Sequence, residues 1–77
     1  MFHENTEKLD LVGLKCPHPI MHTQKKMRDL NNGDKLIVQV SDPSFNIDLG
    51  VYIRQSGHML LNSWQEKETN CFLLECR

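Results

Sequence analysis

The chain has 77 residues, with nine basic against ten acidic side chains and a formal net charge of −1. That length accommodates one small domain with one core, and the near-neutral balance lacks the basic excess of a nucleic-acid-binding surface. No apolar run approaches the ~20 residues of a membrane span, and the opening Met1-Phe2-His3-Glu4-Asn5-Thr6-Glu7 carries acids and no apolar stretch, unlike a secretory signal, so the expected compartment is the cytoplasm.

Residues 1–7 read as a loose polar tail, and residues 8–77 as a single domain. Leu9-Asp10-Leu11-Val12 predicts a short strand with Leu9 and Leu11 on one face, ended by Gly13. A helix is expected from about Pro17 to Asn31. Its buried face holds Ile20, Thr23, Met27 and Leu30, with Gln24 at the edge. His18, Met21, His22, Lys25 and Asp29 lie opposite, so Met21 is an apolar residue on the wet side, one turn from Cys16. Asn31-Asn32-Gly33-Asp34 stops this helix. Leu36-Ile37-Val38-Gln39-Val40 is a β-branched strand with Leu36, Val38 and Val40 facing one way.

Asp42-Pro43 then predicts a second helix start, an acidic N-cap followed by proline. That helix runs to Gln55 or Ser56, with Phe45, Leu49, Tyr52 and Ile53 buried and Ile47 and Val51 on the other face. Gly57 closes it. Met59 to Gln65 predicts a third strand, Lys67-Glu68-Thr69-Asn70 a turn, and Cys71 to Cys76 a fourth strand. Phe72, Leu74 and Cys76 share one of its faces, and Glu75 marks the other, with Cys71 and Leu73, as the wetter one. Trp64, Phe72 and Tyr52 are assigned to the core. The order is β-α-β-α-β-β, an α+β chain forming a two-layer α/β sandwich with both helices on one face of the sheet. Strands alternating with helices call for parallel pairing.

Three cysteines are an odd number, which argues against a disulfide framework. Cys71 and Cys76 lie ~17 Å apart in an extended strand, beyond the ~7 Å that a disulfide spans.

Cys16 sits in Gly13-Leu14-Lys15-Cys16-Pro17-His18-Pro19-Ile20-Met21. Proline suits the first helical position, because the N–H it lacks has no intrahelical partner there. Cys16 is then the N-cap, where free N–H groups and a partial positive charge favour a thiolate. Lys15 acts in the same direction, and Pro17 and Pro19 hold the thiol rigidly exposed. The plain alternative is a small buried hydrophobe, the commonest fate of a free cysteine. His18 and His22 share a helix face near Cys16, but no fourth ligand completes a zinc set, so no metal is assigned. Lys25, Lys26 and Arg28 form either a solvated face or a docking patch for an acidic partner or for nucleic-acid phosphates. Exposed Met21 suits an adaptable contact surface. Asp42 is first a helix cap. Ile47 and Val51 form a second apolar patch or pack against the tail.

These residues resemble the TusA-type, or SirA-like, sulfur-carrier family. The resemblance rests on Leu9-Asp10, on the stretch from Gly13 to Met21 with its Cys-Pro-x-Pro core, on Gly33-Asp34 and Asp42-Pro43 around the second strand, and on Asp48-Leu49 and Tyr52 in the second helix. It runs from residue 8 to the end of the chain. It implies a four-stranded mixed sheet of order 1-2-4-3, the fourth strand antiparallel to the others. It also implies that Cys16 accepts sulfane sulfur as a persulfide from a cysteine desulfurase or another sulfurtransferase and passes it to an acceptor protein. The 2-thiolation of a transfer-RNA wobble uridine is one family destination. His18, Met21, Lys25, Arg28 and Asp42 would meet partners, contact with transfer RNA would be indirect or weak, and no membrane contact and no cofactor are implied. Two other classes stand beside this one. A thiol-disulfide redox module would want a resolving cysteine two or three positions from Cys16, which is absent. A regulatory binding module would not need the thiol.

Overall fold

The computed structural model describes residues 6–77. Its elements are β1 (Thr6–Leu11), α1 (His18–Asp29), β2 (Lys35–Val40), α2 (Phe45–Ser56), β3 (Met59–Glu66) and β4 (Thr69–Glu75). The strands form one sheet in the order β1-β2-β4-β3. β1 runs parallel to β2, while β4 is antiparallel to both β2 and β3. This is the mixed α+β architecture that the element order and the resemblance imply.

The β-branched, alternating pattern of β2 explains its central place. Leu36, Val38 and Val40 point to the helical side and are fully buried, and Phe72 and Leu74 of β4 lie opposite Val38 and Leu36. Met27 and Leu30 from the end of α1 and Phe45 and Leu49 of α2 close over them. Phe45 and Phe72 meet with ring centroids 5.3 Å apart in a tilted arrangement, a geometry that aromatic quadrupoles favour. Cys76 lies in the same cluster, its Sγ 3.6 Å from the Leu30 carbonyl oxygen.

Several boundaries differ from expectation. β1 begins at Thr6, three residues early, and Glu7 pairs with Lys26 of α1 at 2.6 Å. Of the tail read over residues 1–7, residues 1–5 lie outside the described residues. α1 is shorter at both ends than Pro17 to Asn31. α2 starts at Phe45 rather than Pro43, because Pro43 and Ser44 form a turn first. The turn between β3 and β4 is only Lys67-Glu68, with Lys67 in the left-handed region at φ 55°.

Two assignments in the sheet are corrected. Trp64 is not in the main core. It lies half-buried on the face away from the helices, beside Cys71, and its indole N–H donates to Glu66 Oε1 at 3.0 Å. Cys71 shares that face yet is buried, flanked in register by Gln39 and Trp64. Two long neighbours cover a small side chain there, so the face is wetter at Glu75 than at Cys71.

Candidate functional site

Parallel pairing of β1 with β2 sets Leu11 opposite Val40. Both strands therefore end side by side, and the loops that lead into α1 and α2 run together above the carboxyl edge of the sheet. Such edges are where α/β folds place ligands. The β1–α1 loop turns at Gly13, whose φ of 91° suits glycine. The Gly13 N–H donates to Ser41 Oγ at 2.9 Å. The Cys16 N–H donates to Asp42 Oδ2 at 2.7 Å. The other oxygen, Asp42 Oδ1, accepts from the Ser44 N–H at 3.0 Å and the Ser44 hydroxyl at 2.9 Å. Asp42 is therefore not the N-cap expected of it: Ser44 occupies that position without a side-chain cap bond, and Asp42, two residues earlier, binds Ser44 and ties the cysteine loop to the head of α2. The Ser44 backbone bond, the Ser44 hydroxyl bond, the Cys16 N–H and the Lys15 charge together hold its carboxyl below the usual aspartate value.

Cys16 is exposed, whereas Cys71 and Cys76 are buried. Its sulfur lies at the head of a shallow groove of about 280 Å³ between the helices. Pro17, Ile20 and Gln24 form the α1 wall, and Asp48, Val51, Tyr52 and Gln55 form the α2 wall. The α2 residues follow the i, i+3, i+4, i+7 spacing of one helix face. Sequence analysis assigned none of Asp48, Val51 or Gln55 to the site and placed Tyr52 in the core. That spacing was the available signal. The adjacent buried stripe of Phe45, Leu49, Tyr52 and Ile53 masks it, and Tyr52 belongs to both, packing partly against the core while lining the groove.

The thiol's electrostatic setting reverses the expectation. Pro17, not Cys16, occupies the N-cap of α1, and the Cys16–Pro17 peptide bond is cis. No cluster of free N–H groups faces the sulfur. Pro17 and Pro19 have none, the Cys16 N–H is taken by Asp42, and the His18 N–H donates to the Lys15 carbonyl at 2.9 Å. Instead the Cys16 sulfhydryl donates to Asp48 Oδ2 at 3.5 Å. That hydrogen bond first, then partial desolvation and the Asp48 charge, push the thiol up from its ordinary value. The Asp42 charge adds to the rise and Ser44 partly offsets it.

The remaining sequence-predicted residues divide around the helices. Lys15, Pro17 and His18 are exposed beside Cys16, but Pro19 is buried, its carbonyl accepting the Thr23 hydroxyl at 2.9 Å. Met21 is 56 % exposed. Arg28 continues the Ile20–Gln24 stripe of α1, and its charge reaches Tyr52. Lys25 lies on the β1 side with His22, Lys26 and Asp29, over Leu9. The structure therefore brings Asp42 to Cys16, sets Arg28 within electrostatic reach of the groove residue Tyr52 and leaves Lys25 off the groove. Ile47 is 73 % exposed and Val51 half-exposed at the groove wall. Among the described residues no three His, Cys, Asp or Glu side chains gather as a metal site, and no helix is long and apolar enough to cross a membrane.

Comparison with known proteins identifies a family. Residues 7–75 match the family described as sulfurtransferase TusA. A protein of Neisseria meningitidis serogroup A named "putative sulfur carrier protein" is 39 % identical over 62 residues, covering 80 % of this chain and 84 % of the relative. A namesake from serogroup B of the same species matches to the same extent.

Proposed function

The chain belongs to the TusA sulfurtransferase family, a membership that supports a sulfur-carrier role, and from it we propose that the cargo is sulfane sulfur held as a persulfide on Cys16. The observation that carries this reading is the placement of Cys16. It is the one exposed cysteine of three, held by its backbone to Asp42 at the head of an open groove.

In the loading step the Cys16 sulfur attacks the outer sulfur of a donor's persulfide. One S–S bond forms and one breaks, and the donor cysteine leaves as a thiolate that takes up the proton lost by Cys16. The exchange is redox-neutral and needs no resident cofactor. Unloading repeats it, with an acceptor cysteine attacking the outer sulfur on Cys16. Both steps depend on access and on the thiolate fraction of the attacking group. A cysteine desulfurase or another sulfurtransferase fits the donor role, and an acceptor protein serving 2-thiouridine formation in transfer RNA fits the other. Transfer RNA itself would be met weakly at most, since the chain carries a net charge of −1.

Pro17 and Lys15 flank the sulfur, and Pro19 anchors the first turn of α1 from inside. His18, Met21, Arg28 and the exposed Ile47 are assigned to the contact surface for both partners, while Lys25 lies off the groove on the β1 side. Asp42, with both carboxylate oxygens engaged inside the chain, serves to hold Cys16. Three unpaired thiols suit the reducing cytoplasm. A redox relay within the chain is disfavoured, because both other cysteines are buried.

Incubation with a cysteine desulfurase and cysteine carrying radioactive sulfur tests this reading. Label bound to the protein and released by a reducing agent is expected for the wild type and for Cys71→Ser, and none for Cys16→Ser. Undiminished label on Cys16→Ser would refute it.

A further inference from the structure

The start of its own helix offers Cys16 few free donors: Pro17 and Pro19 carry no N–H, and the N–H groups of Cys16 and His18 are already bonded. The group that faces the sulfur is Asp48, projected from the first turn of α2 across the groove, with Oδ2 3.5 Å from Sγ. Asp48 is half-buried and lines the same groove as Cys16.

We propose that Asp48 is the positioning residue of the transfer site: it accepts the Cys16 sulfhydryl hydrogen bond, turns the sulfur into the groove between α1 and α2, and relays the thiol proton during sulfur transfer. The proposal rests on the persulfide reading for its chemistry, though not for its geometry.

The resting site holds a neutral thiol against a carboxylate. When a donor persulfide enters the groove, the Cys16 S–H bond breaks and its proton passes to Asp48 Oδ2. The freed electron pair forms the new bond to the donor's outer sulfur. The donor's S–S bond breaks, and the departing cysteine sulfur collects the proton from Asp48. Charge and oxidation state are unchanged over the step. A thiol kept neutral between encounters is also a poor target for stray electrophiles and oxidants, since the thiolate is the reactive form. The raised proton affinity of Cys16 agrees with this arrangement, and its leading cause is the Asp48 hydrogen bond. The other groups facing the sulfur are Asp42 and Ser44 from the β2–α2 loop, with Lys15 and His18 on its own side. Asp42 adds to the rise and Ser44 opposes it.

The test is the rate of alkylation of Cys16 by iodoacetamide across pH, on the full chain, in wild type, Asp48→Asn and Asp48→Glu. The wild-type midpoint is expected above the ~8.5 of an ordinary cysteine. Asp48→Asn keeps a hydrogen-bonding group without the charge. Its midpoint should move down and its alkylation at neutral pH should be several-fold faster, with Asp48→Glu remaining near the wild type. A folded Asp48→Asn protein with the wild-type midpoint would overturn the proposal. So would a wild-type midpoint below that of an ordinary cysteine, which decides the matter even if the Asn variant does not fold. Alkylation involves no sulfur donor, so this outcome is separate from the fate of the persulfide reading.

Discussion

Cys16 is the cysteine that a reagent in solution meets directly, and it meets it as a thiol. A limited dose of a maleimide at neutral pH should therefore modify Cys16 alone, slowly, and reach Cys71 and Cys76 only on unfolding. Peptide mapping of the product checks this, and early modification of Cys71 or Cys76 would contradict the burial described above. Asp42 makes a second residue-scale prediction. Its proton affinity is lowered in the folded chain, chiefly by the Ser44 backbone bond. A group with a depressed native value stabilises the fold above its unfolded value, near 3.9, and loses that contribution as pH falls through the native value. Urea midpoints should therefore drop on acidification below about pH 4 more steeply for wild type than for Asp42→Asn. The Asn variant should be the less stable of the two at neutral pH. Equal pH profiles would show that the bonds to Ser44 and Cys16 carry no weight. The exposure of Cys16 could be read from the chain, since Cys-Pro between a strand and a helix leaves little room to bury the sulfur. The absent N–H groups at Pro17 and Pro19 could be read there too, and they weaken the helix-terminus argument. The approach of Asp48, 32 residues away, could not, because only the packing of α1 beside α2 creates it.

At the scale of elements, α2 does two jobs with adjacent faces. Phe45 and Leu49 bury against the sheet, while Asp48, Val51, Tyr52 and Gln55 line the groove. Leu49→Ala empties a fully buried position and should cost about 2–5 kcal/mol. For a domain of this size that approaches the whole stability, so a collapsed chemical-denaturation midpoint is the expected result. The end of α2 is set by Gly57, at φ 81°, whose N–H donates to the Ile53 carbonyl at 3.1 Å. No neighbour lies within 4 Å of an added Cβ there. The cost of Gly57→Ala is thus backbone conformation alone, about 1–2 kcal/mol, and thermal unfolding should register it as a modest loss without change of fold. The periodicity of α2 announced its buried stripe correctly, yet it could not say that the next stripe borders a groove rather than open solvent. That depends on how closely α1 lies alongside. Trp64 shows the same limit in β3. Alternation places it on one face of a strand, and only the sheet order decides that this is the face without helices.

Across the whole molecule, the site is a product of topology. Two parallel strands end level, each hands the chain to a helix, and the two connecting loops share hydrogen bonds, Gly13 to Ser41 and Cys16 to Asp42. Neither loop holds the sulfur by itself, and the groove needs both helices. The β-α-β-α-β-β succession was legible because the apolar spacing changes from alternation to helical periodicity and back, whereas the strand order followed only from the family resemblance. The juxtaposition of residues 16, 42 and 48 emerges only when β1 and β2 pair in register. A site so assembled should be lost together with the fold, and the slow alkylation of Cys16 should give way to ordinary cysteine reactivity in denaturant.

The central claim, that Cys16 carries transferable sulfur, is tested most directly by mass spectrometry of the native chain after exposure to a persulfide donor and then to an acceptor thiol protein. The account predicts a gain of one sulfur atom, located on the peptide containing Cys16, that disappears from this chain as it appears on the acceptor. Sulfur found on Cys71 or Cys76, or a modified Cys16 that never gives its sulfur up, would contradict it.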